Sequence, residues 1–296
     1  MPTAIAFQSV TKRFSDGTLA LDGATWSVGQ GTRTCLLGPN GAGKSTSIRL
    51  LQGALRPTAG SVELLSSAIN GPGYAEARRR CGIVSQNPGM YADLTAGEYL
   101  ALAARLYGAG ADRTVEAFGL GPYLGIRMTH LSEGFQRRLA LAAALVAEPD
   151  VLLLDEPTVG LDPVAAHEVH GYLQSMMTGR SVLLCTHNLA EAEALCEDVV
   201  ILRSGRVIVR GRLEDLRQHT QPRLRLTCHQ GPDALRAALG DGARVTTDGA
   251  AVLVDVEDVE QEAPGLLRRL MAAGIDVYEC MPIRATLEDL FLEAVQ

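Results

Sequence analysis

The sequence predicts an α/β fold, with a parallel, doubly wound sheet at its core and a small α+β domain towards the carboxyl end. Short apolar runs alternate with helical stretches through the middle of the chain, as in CGIVSQ, VLLLDEP and SVLLCTHN. This alternation is typical of parallel strands connected by helices. At 296 residues the chain also exceeds the usual size of one domain, so we expect a large domain with a smaller one attached.

The composition narrows the class of protein before any motif is considered. With 47% hydrophobic and 21% charged residues, the chain has enough apolar side chains for a sizeable core. The net charge of -7 provides no basic surface for nucleic acid, and the apolar runs are shorter than the roughly 18 residues that cross a bilayer. The amino terminus has no signal-peptide pattern and the six cysteines form no C-x-x-C pair. We therefore expect a soluble, cytosolic protein with reduced thiols.

The first thirty or so residues predict an antiparallel β subdomain. Apolar and polar residues alternate in AIAFQSV and ALDGATWSV, and SDG at residues 15–17 separates the two runs. A period of two indicates strands, and the glycine-containing break indicates a turn. The later stretch DVVILRSGRVIVRG predicts a closing hairpin about Ser204 and Gly205 for the same reason.

The stretch GPNGAGKST predicts a phosphate-binding loop. It fits G-x-x-x-x-G-K-[ST] and lies between the apolar strand TCLL and a helix, where backbone N–H groups can surround a phosphate. Lys44 is expected to reach the terminal phosphates, and the Ser45 hydroxyl is expected to ligate Mg²⁺. The predicted nucleotide-binding residues are Gly38, Pro39, Asn40, Gly41, Ala42, Gly43, Lys44, Ser45 and Thr46.

A mainly helical subdomain is predicted at about residues 88–147. Thr95 and Glu98 fit a capping box at the start of TAGEYLALAARLYG. Near the end of this region, LSEGF places a serine and a glycine before an apolar helix, which predicts a second anion site at a helix N-terminus. The chain therefore has two candidate phosphate-binding motifs that are distant in sequence.

The run VLLLDE predicts a buried strand that brings Asp155 and Glu156 to its carboxyl end. Ligands bind at this edge of doubly wound sheets. Asp155 is expected to hold the magnesium shell through water. Glu156 is the candidate general base for a hydrolytic water.

A boundary is predicted near residue 220, because the polar segment RLEDLRQHTQP ends in proline. We place the first domain at residues 1–215, a linker at 216–221 and a small α+β domain at 222–296. The order strand, helix, two strands, helix, strand favours a ferredoxin-like split βαβ arrangement. A terminal helix follows, with Leu287, Leu290 and Phe291 on one side.

The motifs together resemble a known family. GPNGAGKST, Gln86, LSEGF, VLLLDEPT, GLDP and His187 occur in the order found in the nucleotide-binding subunits of ATP-binding cassette (ABC) transporters, and the resemblance covers residues 4 to about 215. It implies the P-loop ABC ATPase fold, with a parallel sheet core, an antiparallel β subdomain and a helical subdomain. It also implies hydrolysis of ATP with Mg²⁺.

The resemblance implies further roles for single residues. Phe14 in TKRF is similar in position to the family's aromatic that stacks on adenine, and Gln86 to the residue that contacts magnesium and the attacking water. His187 would reach the γ-phosphate, and Asp162 in GLDP would contact the opposite subunit. The implied catalytic set is Glu156, His187 and Gln86, and the implied metal set is Ser45, Gln86 and Asp155.

The second anion site has a role in this family as well. LSEGF resembles the LSGGQ signature, which binds the γ-phosphate held by a second subunit, so that two ATP molecules are sandwiched head to tail. The implied trans site comprises Ser132, Glu133, Gly134 and Phe135. Glu133 and Phe135 depart from the family pattern, and we expect the Glu133 carboxylate to point away from the phosphate, because like charges repel at short range.

The resemblance also implies the partners. These are ATP, a second copy of the chain and a separate transmembrane permease, with a docking surface near NPGMYADLT at residues 87–95. The protein would be peripheral on the inner face of the cell membrane, and it looks most like exporters of the drug- and antibiotic-resistance type. Two alternatives remain open at this point: a soluble ATPase of the same class acting on nucleic acid or ribosomes, and the ATPase subunit of an importer.

Overall fold

The computed structural model describes residues 2–86, 89, 91–218, 222–240, 244–283 and 287. The chain divides into two compact units, with the boundary between Leu213 and Glu214. The strands of the first unit are β1 (Thr3–Arg13), β2 (Leu19–Gly29), β3 (Arg33–Leu37), β4 (Ala59–Leu64), β5 (Ser67–Ala68), β6 (Cys81–Val84), β7 (Val151–Asp155), β8 (Ser181–Thr186), β9 (Asp198–Arg203) and β10 (Arg206–Arg212).

The helices of this unit lie between these strands. They are α1 (Lys44–Leu51), α2 (Tyr74–Arg79), α3 (Ala96–Tyr107), α4 (Asp112–Ala117), α5 (Glu133–Leu145), α6 (Pro163–Met177) and α7 (Leu189–Leu195), and α8 (Leu213–Gln218) begins at the end of the unit. Short 3-10 turns occur at Gly121–Tyr123 and Met128–His130.

The central sheet has the order β10-β9-β3-β8-β7-β6. Its strands are parallel except β10, which pairs with β9 as an antiparallel hairpin. Every residue of β7 and β8 is buried, as expected for strands covered on both faces. The carboxyl ends of β3, β6, β7 and β8 therefore meet at one edge, and each of them leads into a predicted motif. The predicted parallel core and the hairpin about Ser204 are confirmed.

A second, antiparallel sheet has the order β2-β1-β4-β5, which confirms the predicted β subdomain. Phe7 and Trp26 stack between β1 and β2 with ring centroids 4.1 Å apart, and both side chains are buried. The turn between these strands is closed by a hydrogen bond from the backbone N–H of Phe14 to the carbonyl of Thr18 at 2.9 Å. Residues at the start of β2 then pass beside the N-terminus of α1, as described below.

The helical subdomain contains α3, α4 and α5. Its first helix has the predicted capping box, because the Glu98 N–H donates to the Thr95 hydroxyl and the Thr95 N–H donates to the Glu98 carboxylate. A capping box satisfies two backbone donors that the helix leaves without partners. The cysteines carry free thiols, and all but Cys280 are buried, as the sequence predicts.

The second unit is an antiparallel sheet of order β12-β13-β11-β14 that packs against two helices. This order and the chain order βαββαβ are those of the predicted ferredoxin-like arrangement. Leu287 is buried, whereas Leu290 and Phe291 lie outside the described residues. The elements are β11 (Arg223–Cys228), α9 (Pro232–Leu239), β12 (Val245–Asp248), β13 (Ala251–Asp255), α10 (Val259–Ala272) and β14 (Val277–Ile283).

Candidate active site

The loop from β3 to α1 is shaped by glycines. Gly43 precedes α1 with φ 112°, a conformation that only glycine adopts easily. A Cβ at this position would lie 2.7 Å from the Ala20 carbonyl oxygen and 2.7 Å from Leu21 Cδ2, so a side chain is excluded by space as well. The first backbone N–H groups of α1 have no acceptor within the helix. N–H groups in this position can bind an anion, and they lie where the sequence predicts a phosphate site.

Lys44 lies across this loop. Its ammonium donates to the carbonyl oxygens of Gly38 at 2.6 Å and Pro39 at 3.3 Å, and it lies 3.7 Å from Glu156 Oε1. The side chain is only 6% exposed. A buried ammonium held mainly by neutral carbonyls is well placed for an anionic ligand, because phosphate oxygens bind it more strongly than carbonyl oxygens do.

Ser45 and Asp155 provide two oxygen donors beside the loop. The Ser45 hydroxyl lies 3.5 Å from Asp155 Oδ1. Burial raises the pKa of the Asp155 carboxyl, the hydrogen bond from Ser45 lowers it, and the neighbouring Glu156 charge raises it, so that the pKa is above its usual value. Mg²⁺ in nucleotide sites takes one or two protein oxygens together with phosphates and water. This small donor set fits such an ion.

Glu156 has a strained backbone at the end of β7. Its φ is 50°, which is uncommon for a residue with a side chain and is concentrated at functional sites. The backbone N–H donates to the Cys185 carbonyl at 2.8 Å, and the carboxylate lies 2.9 Å from His187 Nδ1. With an ionised carboxylate this contact requires the proton on Nδ1, which leaves Nε2 for another partner. The structure thus brings Lys44, Glu156 and His187 together.

Phe14 lies on the hairpin that adjoins the phosphate loop. It follows β1 directly, and a few residues later the carbonyl of Ala20 packs against Gly43. The ring is half-buried, with Lys12 Nζ 5.3 Å from its centroid. One face of the ring is therefore already occupied by a cation.

Gln86 follows β6 by two residues and is fixed through its backbone. Its carbonyl oxygen accepts a hydrogen bond from Arg137 Nη2 at 2.8 Å, and the Ser85 carbonyl accepts one from Arg137 Nη1 at 2.8 Å. Arg137 is buried in α5 and was not among the predicted site residues. Helical spacing puts it in line with the buried Ala140 and Leu141. A charged residue on the apolar face of a helix is unusual, and this pattern could have drawn attention to Arg137 in the sequence.

Ser132 caps the helix of the second predicted anion site. Its hydroxyl accepts a hydrogen bond from the Phe135 N–H at 3.2 Å, and its side chain is exposed, as is that of Glu133. A Cβ on Gly134 would lie 2.9 Å from Ala165 Cβ, so glycine is needed for the close approach of α5 to α6. Asp162 caps α6 and accepts hydrogen bonds from the N–H groups of Val164 and Ala165. The structure therefore brings the LSEGF motif and Asp162 to neighbouring helix ends.

Phe135 packs within its own subunit. Its ring lies 4.3 Å from that of Tyr123, and the Arg138 guanidinium lies 5.4 Å from Phe135 and 4.8 Å from Tyr172. The Tyr172 ring stacks on Phe118 at 4.9 Å, and Arg138 donates to the Phe118 carbonyl. We call these residues the aromatic ladder. It joins α5 to the segment after α4 and to α6.

Removing the Phe135 ring is expected to destabilise this subunit. Phe135→Ala loses one aromatic pair and one cation–π contact, which together contribute about 1–2.5 kcal/mol. Urea unfolding in the absence of nucleotide measures the loss. Phe14→Ala is the matched control, because Phe14 is also half-buried beside one cation but pairs with no aromatic ring among the described residues. Equal destabilisation by both substitutions would contradict the ladder.

A buried carboxylate holds the segment that follows Glu156. Glu191 Oε1 accepts a hydrogen bond from the Thr158 hydroxyl at 2.8 Å and lies 3.2 Å from His170 Nε2. Its other oxygen, Oε2, has no hydrogen-bond partner among the described residues. Sequence reasoning did not find Glu191, because its two side-chain partners, Thr158 and His170, are distant from it in sequence.

Comparison with known proteins identifies the family. The family described as "ABC transporter" matches residues 21–159, and "ATP-binding protein DrrA1-3-like, C-terminal domain" matches residues 211–295. The daunorubicin resistance ATP-binding protein DrrA3 of Streptomyces coeruleorubidus is 36% identical over 303 residues, covering 98% of this chain and 95% of that protein. The Nod factor export ATP-binding protein I of Rhizobium etli is 35% identical over 302 residues, covering 98% of this chain and 92% of that protein.

A solved structure of the same family is also similar to this chain. An ATP-binding cassette, solved as a dimer in a post-hydrolysis state with ADP and Pi, aligns with TM-score 0.63 and 26% identity over 71% of this chain and 98% of that chain. None of the helices among the described residues has the length and apolar character of a membrane span. The geometry at the sheet edge and the similarity along nearly the whole chain show that this protein belongs to the ATP-binding subunits of ABC transporters and is an ATPase.

Proposed function

We propose that two copies of this chain bind ATP between them and drive export through a separate transmembrane permease. The observation that carries this proposal is the similarity along 98% of the chain to proteins named for daunorubicin resistance and Nod factor export. Because it extends through both units, it supports the same working arrangement as in those relatives. The protein would then lie on the cytoplasmic face of the membrane, held by the permease.

In the proposed site, the phosphate loop and Lys44 hold the phosphates of ATP. The glycine-shaped turn exposes the first N–H groups of α1, and the Lys44 ammonium exchanges carbonyl oxygens for phosphate oxygens. Phe14 stacks on adenine with the ring face that Lys12 does not cover. The hairpin brings that ring towards the phosphate loop, which supports this role.

Ser45, Asp155 and Gln86 are the proposed residues for Mg²⁺. The two oxygen atoms 3.5 Å apart at Ser45 and Asp155 fit the small protein donor set that this ion takes. When bound, Mg²⁺ neutralises charge on the phosphate oxygens. The pKa of Asp155 is raised by burial, so a cation beside it would favour the ionised carboxylate.

Glu156 is the proposed general base and His187 its neighbour at the γ-phosphate. The strained turn and the Cys185 carbonyl fix the Glu156 backbone, and His187 holds the carboxylate, which then accepts the proton of the attacking water. The contact of Glu156 with Lys44 weakens when the ammonium turns to a phosphate. His187 continues to donate its Nδ1–H to the Glu156 carboxylate and presents Nε2 towards the phosphate.

The second copy completes each site. Ser132 is exposed at the start of α5, so its hydroxyl and the neighbouring N–H groups are available to a phosphate outside the subunit. A twofold axis makes the two sites equivalent, with Asp162 near the seam because its helix packs beside Gly134. The Phe135 ring packs within the aromatic ladder of its own chain. It therefore influences this site only by helping to position α5.

The permease is proposed to dock at residues 87–95. Tyr91 is 62% exposed there, whereas Asn87, Pro88 and Met90 lie outside the described residues. Exposed aromatic side chains are enriched at protein interfaces. For the domain at 222–296 we propose contact with the second copy or with the permease.

The export proposal is tested in the native host. We expect that deleting the gene lowers daunorubicin tolerance and slows efflux of the drug, and that the wild-type chain restores both while Glu156→Gln does not. The chain should also co-purify with a membrane protein of about six spans. Normal efflux in the deletion strain, together with co-sedimentation of the chain with ribosomes, would instead favour the soluble class of ATPase.

Removing the Phe14 ring is expected to weaken nucleotide binding. Stacking of one base on an aromatic ring contributes about 1–3 kcal/mol, so Phe14→Ala should raise the Kd for ATP about 5- to 150-fold. Titration with a fluorescent ATP analogue measures the Kd, and Phe14→Tyr should retain the wild-type value. An unchanged Kd for Phe14→Ala would remove this residue from the adenine site.

A further inference from the structure

We propose that Arg137 is a positioning residue that couples the two ATP sites of the dimer. It joins the backbone of Gln86, which belongs to the subunit's own site, to the helix whose N-terminal Ser132 completes the site of the other subunit. This inference rests on the proposed function, in which the LSEGF motif acts in trans. It assigns to one buried side chain the link between two motifs that bind different ATP molecules.

The link is made by a forked pair of hydrogen bonds. Arg137 Nη1 donates to the Ser85 carbonyl and Nη2 to the Gln86 carbonyl, both at 2.8 Å. Two successive carbonyls held by one planar guanidinium fix both the distance and the orientation of the strand end relative to α5. A lysine has a point charge and cannot reproduce this fork.

Burial makes the link costly to break. Arg137 is 7% exposed, and burial lowers its pKa, while the charges of Glu133 and Glu191 raise it. A buried charge without its partners is strongly destabilising. If α5 moved away from the two carbonyls, the guanidinium would lose the hydrogen bonds that offset the cost of burying its charge. A displacement of the Gln86 backbone is therefore transmitted to α5 rather than absorbed between them.

The helix carries the displacement to the other site. Ser132 caps α5 and lies little more than one turn before Arg137, so the two residues move with the same rigid element. The close approach of Gly134 to Ala165 leaves little space for an independent shift of the helix start. ATP bound in one subunit, acting on Gln86, thus improves the position of Ser132 for ATP bound in the other, which is positive cooperativity.

The test is the ATP dependence of steady-state hydrolysis by the purified full-length protein. For the wild type we expect a Hill coefficient clearly above 1 and not above about 2, because the coefficient cannot exceed the number of sites. Arg137→Met should bring it to about 1, and Arg137→Lys should lower it towards that value. The Kd of the monomer for ATP should stay within about twofold of the wild-type value in both variants. The reason is that the Arg137 side chain is hydrogen-bonded to the Ser85 and Gln86 carbonyls and not to the phosphate loop.

Arg180→Met is the matched control. Arg180 also donates to two backbone carbonyls, those of Pro149 at 3.0 Å and Met176 at 2.7 Å, but at the opposite ends of the strands from the site. It should keep the wild-type Hill coefficient. Thermal unfolding checks that each variant is folded. If Arg137→Met is not folded, Arg137→Lys, which retains the charge, is the variant used for the test.

The outcomes separate this inference from the proposed function. If the wild type dimerises with ATP and hydrolyses it cooperatively, an unchanged Hill coefficient in the folded Arg137 variants would overturn the coupling role alone. A wild type with a Hill coefficient of about 1 overturns it as well. Failure of the wild type to dimerise with ATP would count against the proposed function itself.

Discussion

Glu156→Gln is expected to bind ATP normally, to accumulate as an ATP-bound dimer and to lose turnover at least about a hundredfold. The amide can keep a hydrogen bond with His187 but cannot accept the proton of the attacking water. Phosphate binding by the loop and Lys44 does not depend on this proton transfer. Steady-state phosphate release and a nucleotide titration measure the two properties separately.

Glu148→Gln is the matched control for this substitution. Glu148 also has a left-handed backbone, with φ 48°, and its carboxylate pairs with a basic side chain, Arg113, at 3.0 Å. It is exposed and lies away from the end of β7, so its amide variant should turn over like the wild type. Wild-type turnover in Glu156→Gln would remove Glu156 from the role of general base.

Ser132→Arg is expected to abolish dimer turnover while leaving ATP binding by the monomer intact. The exposed serine is replaced by a long side chain at the surface where the second subunit's phosphate is proposed to lie. Loss of one preorganised donor to a reacting group lowers turnover about 10²–10³-fold, and obstruction of closure adds to this. Phosphate release and nucleotide titration at low protein concentration are the measurements.

Two further variants distinguish obstruction of dimer closure from a nonspecific effect of the substitution. Ser175→Arg places the same side chain at an exposed serine on α6 and should retain turnover. Ser132→Thr keeps a hydroxyl that can cap α5 and should retain much of the activity. Loss of nucleotide binding by the Ser132→Arg monomer would mean that LSEGF serves its own subunit's site.

The parts of the site that sequence reasoning found follow from strand ends. Asp155 and Glu156 come at or just after the carboxyl end of a buried strand, and the ends of parallel strands are expected to meet even when the helix packing is unknown. His187 also follows a buried strand, but its role was implied by the family resemblance. Gly43 was predictable from the loop pattern, and the structure adds the reason, which is contact with Ala20 and Leu21. The ferredoxin-like order of the second unit was likewise readable from alternating strands and helices.

Side chains whose partners lie on other elements could not be predicted in this way. Arg137 follows the LSEGF motif in sequence, yet its acceptors are at the end of β6. Phe135 departs visibly from the family pattern, but only the fold shows that Tyr123 and Arg138 surround it. Such contacts depend on how helices pack, which the period of a sequence does not specify.

The central claim is that LSEGF completes the ATP site of a second subunit. Its most direct test is the molar mass of Glu156→Gln and of Glu156→Gln combined with Ser132→Arg, measured by light scattering with and without ATP and Mg²⁺. We predict an ATP-dependent dimer for the single variant and a monomer for the double variant, with the same Kd for nucleotide in both. An ATP-dependent dimer of the double variant, as stable as that of the single variant, would contradict the claim.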